Sequence, residues 1–157
     1  MVFELNQFRE QYNSFAKQYS LPSFTALNDD FEIEKISQES ITLLRVVRKV
    51  MIEKVFNILL FLEMLLNPVN APRTYLAYIK SMTNEDRKEV EKLYSTFGAL
   101  TLRALPLEAD YSEKQEATMI KDIQKVWSDA KKDLSKLLEQ VVTPVTGSAK
   151  KERSYYG

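Results

Sequence analysis

Two pairs of carboxylates, Glu85 with Glu89 and Asp129 with Asp133, stand four residues apart, a spacing that puts both members on one face of a helix. Paired carboxylates can ligate Mg²⁺ or divide the roles of general acid and base. Each pair has Lys or Arg beside it on a polar face, so a solvated helix surface accounts for it better than chemistry does. Glu63 is the sharper candidate, because it interrupts the apolar run from Val55 to Leu66, and burying an unpaired carboxylate is costly. Arg73 or Lys80 is expected to reach it as a structural ion pair. The rival reading of Glu63, taken with Asn57 and the many tyrosines, is a small-molecule or catalytic site in the core.

Lys114, Lys121, Lys125, Lys132 and Lys136 recur at steps of seven and four. On a helix they form a row about 33 Å long that could track nucleic-acid phosphates. Asp122, Asp129 and Asp133 run beside them three residues from Lys125, Lys132 and Lys136, and are expected to neutralise much of that field.

The residues that are missing exclude more than these candidates admit. The chain has no cysteine, hence no disulfide, thiolate metal site or cysteine nucleophile. It has no histidine either, which removes Ser-His-Asp catalysis, H-E-x-x-H zinc sites and the Glu-x-x-His di-iron bundle. No glycine-rich phosphate loop is present. No metal or cofactor is expected, and an enzyme is the less favoured reading.

The elements that would position these side chains follow from periodicity. Leu5, Phe8, Tyr12, Phe15 and Tyr19 fall on one face of a first helix, ended at Leu21-Pro22. An acidic linker follows to about Ser37; Phe31, Ile33 and Ile36 could dock it on the core, and their alternation also allows a short strand. From Gln38 to Leu66 one long helix carries the stripe Leu44, Val47, Met51, Val55, Ile58, Leu62 and Leu65, with its second half expected to be buried all round. A short helix then starts at Asn70-Ala71-Pro72. Thr83 with Asp86 three residues on resembles a capping box for the next helix, whose stripe is Val90, Leu93, Phe97, Leu100 and Ala104 up to Pro106. Gly98 inside it suggests the close approach of another helix. Ser112 and Gln115 open the last helix, with Ile120, Ile123, Trp127, Ala130, Leu134, Leu137 and Val141 on its core face until Thr143-Pro144.

With 157 residues, 45% of them apolar, and only 3 glycines and 5 prolines, the chain suits one domain of a few long elements. The expected fold is all-α, an up-and-down bundle of about five helices over residues 1–143. Residues 144–157, basic at Lys150, Lys151 and Arg153, are expected to be a disordered tail in which Tyr155 and Tyr156 are the candidate docking pair. The start of the chain lacks the pattern of a secretory signal, and the apolar half of the long helix is too short to span a bilayer, so a cytoplasmic protein that does not enter membranes is expected. Net charge is zero, but residues 1–40 carry 3 basic and 7 acidic side chains, and residues 41–80 carry 6 basic and 2 acidic. The acidic start is expected to fold against the long second helix, or to meet it in a second chain.

The function these features favour is a non-enzymatic helical interaction module that binds a protein partner, itself included as a homodimer. Phe56, Leu60 and Met64, at i, i+4 and i+8 away from the main stripe, are the candidate interface. A nucleic-acid accessory protein using the lysine row is the alternative, and a carboxylate site in the core the second.

Overall fold

A computed structural model describes the backbone of residues 5–36 and 40–155, and the surroundings of side chains through residue 143. Among the described residues every regular element is helical. The α-helices are α1 (Leu5–Tyr19), α2 (Phe24–Phe31), α3 (Leu43–Leu66), α4 (Arg73–Ser81), α5 (Asn84–Ala104), α6 (Pro106–Ala109) and α7 (Glu113–Tyr155), with single 3₁₀ turns at Ile33–Lys35 and Pro68–Asn70.

The long helices start and pack as their sequences dictate. At α5 the Thr83 hydroxyl accepts from the Asp86 N–H at 3.1 Å and the Asp86 carboxylate accepts from the Thr83 N–H at 2.9 Å, closing the capping box. At α7 the Ser112 hydroxyl accepts from the Gln115 N–H at 3.4 Å. Leu44, Val47, Met51, Val55, Leu62 and Leu65 of α3 are buried, as are Val90, Leu93, Phe97, Leu100 and Ala104 of α5 and the stripe of α7 from Ile120 to Val141; Ile58 of the expected α3 stripe is only half-buried, and Leu59 is buried beside it. Arg48 meets Glu116 and Lys54 lies over Trp127, so α3 and α7 run in the same direction. The Leu66 carbonyl faces Arg87 and Leu59 faces Gly98, so α5 runs between the same levels in the opposite direction. The frame is thus an up-down-up arrangement of α3, α5 and α7. α1 and α2 cover one side of it, and α4 packs on α7.

Several expectations are corrected. The linker after α1 contains a helix, α2: Ser23 caps it by accepting from the Ala26 N–H at 3.1 Å, and Glu32 ends it in the left-handed conformation at φ 53°. Its period was present in Phe24, Leu27 and Phe31, at steps of three and four after Ser23, but in a segment of only eight residues among acidic neighbours it reads as a linker. Phe31, Ile33 and Ile36 do dock on the core, through a 3₁₀ turn and not a strand. α3 begins at Leu43; of its expected first turn, Gln38 and Glu39 lie outside the described residues. The second half of α3 is not buried all round, since Phe56, Asn57, Leu60 and Glu63 are exposed. Pro144 does not end α7. A proline forfeits one backbone bond, at a cost of about 3 kcal/mol, and the helix nevertheless continues to Tyr155; in the turn before it the Thr143 hydroxyl donates to the Glu139 carbonyl at 2.8 Å. The side chains of Lys150, Lys151, Arg153, Tyr155 and Tyr156 lie outside the described residues. Gly98 is not demanded by close packing, because a Cβ there would meet Leu59 Cδ1 at 3.9 Å, an ordinary contact.

Candidate interaction surface

α3 has two apolar faces with opposite fates. The inner face fills the core between α5 and α7. On the outer face Phe56 is 46% and Leu60 47% exposed, with Met64 half-buried beside them, although each of the three is large and apolar. Exposed Lys49 and Glu53 precede this stripe, and Asn67 follows it. Glu63 stands at its margin, also exposed. The expected pairing of Glu63 with Arg73 or Lys80 does not form among the described residues, because a carboxylate facing water needs no partner.

The start of α3, two turns before this face, is held by ion pairs that sequence spacing did not reveal. Arg48, 1% exposed, donates from Nε to Glu116 Oε2 at 2.7 Å and from Nη2 to Oε1 at 3.1 Å, and Glu116 is fully buried. Arg45 adds a bond to Glu116 Oε1 at 3.3 Å and a second to the Leu107 carbonyl at 2.5 Å, and its guanidinium lies 5.3 Å from the Tyr111 ring centre. Arg48 also reaches Glu108 at 2.6 Å. That bond, with help from Lys49, holds the Glu108 carboxyl below its ordinary value. One guanidinium pair therefore ties α3 to α6 and α7 at the end of the frame where Pro106 turns the chain. For Arg48 itself, burial works against the charge, but the hydrogen bonds and charges of Glu116 and Glu108 together outweigh it and raise its pKa.

Asp30 of α2 is the second node. Its carboxylate accepts from Lys131 at 2.8 Å and from Gln124 at 3.1 Å, and its carbonyl accepts from Lys54 of α3. Burial pushes the Asp30 carboxyl up, while the bonds from Lys131 and Gln124 and the charges of Lys131 and Lys54 pull it down more strongly, leaving it below its ordinary value. The Lys54 ammonium sits 4.9 Å from the Trp127 ring centre, and Phe31 meets the same indole at 5.4 Å with its ring tilted by 54°. Of the acidic start, α2 and the 3₁₀ turn after it pack against α3, whereas α1 packs on α2 and α7; the buried carboxylate of Asp30 is neutralised by α7, because Lys131 projects into the seam where α2 lies.

The lysine row is exposed along α7. Lys121 is engaged, donating to the Tyr19 carbonyl at 3.1 Å. The expected neutralisation by the neighbouring aspartates is corrected for Asp122, which pairs with Arg103 of α5. Among the described residues Asp129 and Asp133 form no ion pair with the row, since each ammonium is free to stay hydrated at three-residue spacing.

The carboxylate pairs are partly brought together. Glu85, Glu89 and Asp133 line an open groove of about 640 Å³ between α5 and α7, interleaved with Lys88, Lys92 and Lys136. Asp129 is not part of it. Among the described residues no group of three or more carboxylates could hold a metal ion. The mixture of charges and open shape fit a hydrated seam.

No described helix is long and apolar enough to cross a membrane. The fold and surface define an all-α helical bundle with an uncovered apolar line on its central helix. Compared with known protein families, curated proteins and solved structures, the chain has no match.

Proposed function

We propose that the protein is a non-enzymatic helical interaction module that self-associates through the outer face of α3. The observation that carries this reading is the exposure of Phe56 and Leu60, each at nearly half of its surface, in line with Met64 on a helix whose opposite face is fully buried. Single exposed apolar residues are ordinary on a protein surface, whereas an aligned row of large ones favours contact with another apolar surface. The absence of histidine and cysteine from the sequence agrees with a role that needs no general base or thiolate.

Leu60→Asp tests it. The wild type is expected to gain mass with concentration in light scattering, and the variant to remain a folded monomer with an unchanged circular dichroism spectrum. A wild type that stays monomeric at about 1 mM, well above the range of useful weak association, would overturn the proposal.

A further inference from the structure

We draw no further inference here: the strongest candidate, the apolar line of Phe56, Leu60 and Met64 on the outer face of α3, belongs to the surface already described, and nothing in the structure shows what covers it.

Discussion

Arg48 and Glu116 close a two-pronged ion pair at 2.7 and 3.1 Å with neither side chain open to water, although 68 positions separate them. Such a pair is destabilising to break from one side, because Glu116 would stay buried with only the 3.3 Å bond from Arg45 left to compensate its charge. Arg48→Met is therefore expected to destabilise by about 3–5 kcal/mol in urea unfolding. Arg48→Met combined with Glu116→Leu should recover most of that loss, since Arg45 is partly exposed and can turn to solvent. Additive losses in the double variant would show that the two residues act independently.

Trp127, 5% exposed, stands between Phe31 and Phe97 with Lys54 over its ring. Trp127→Ala should cost about 3–5 kcal/mol, and Lys125→Ala, on the solvated face two residues away, about 0.5 kcal/mol or less. Free quenching of the indole fluorescence by iodide would contradict this placement.

Gly98→Ala should stabilise α5 by about 0.5–1 kcal/mol, because alanine has the higher helix propensity and its methyl group meets Leu59 at an ordinary distance. A lowered melting temperature would mean that Leu59 leaves less room at position 98 than the 3.9 Å between its Cδ1 and an added Cβ.

Acid should loosen the α2 seam. The folded Asp30 carboxyl titrates below its ordinary value, so its contribution is fully present above the unfolded pKa of about 4 and is lost as pH falls through the lower folded value. Glu108 shifts in the same direction and adds to the same window. Asp30→Asn is expected to cost about 1–2 kcal/mol at pH 7, given that Lys131 is largely exposed, and to flatten the decline in urea midpoint between pH 5 and 2. An unchanged acid slope would assign that decline to other carboxylates.

Nucleic acid should bind weakly or not at all at about 150 mM salt. Lys121 is already held by the Tyr19 carbonyl, and Asp129 and Asp133 lie on the same helix beside Lys125, Lys132 and Lys136. Fluorescence anisotropy with duplex and single-stranded probes checks this. Tight binding that disappears when Lys121, Lys125 and Lys132 become glutamate would replace protein association by phosphate tracking as the leading function.

Much of what depends on neighbours within one or two helical turns was written in the sequence, the short helix α2 and the passage of α7 through Pro144 excepted. The Thr83–Asp86 capping box, the core faces of α5 and α7, and the outward line of Phe56, Leu60 and Met64 are set by spacings of three and four residues, and backbone hydrogen bonding enforces that period wherever the helix forms. Which helix meets which is another matter. Nothing in the spacing of Arg45 and Arg48 marks them out, and only the approach of α6 and α7 makes them a clasp on Glu116, with Arg48 buried and Arg45 partly exposed. Asp30 read as one charge in an acidic linker, until Lys131, 101 positions away, and Gln124 gave it partners that permit burial and so allow α2 to form. Glu63 went the other way: its apolar neighbours suggested burial, but the frame turned that face outward. Local periodicity fixes how a side chain is oriented on its own helix, and the tertiary arrangement alone decides whether that direction leads to water, to a counter-charge or to the core.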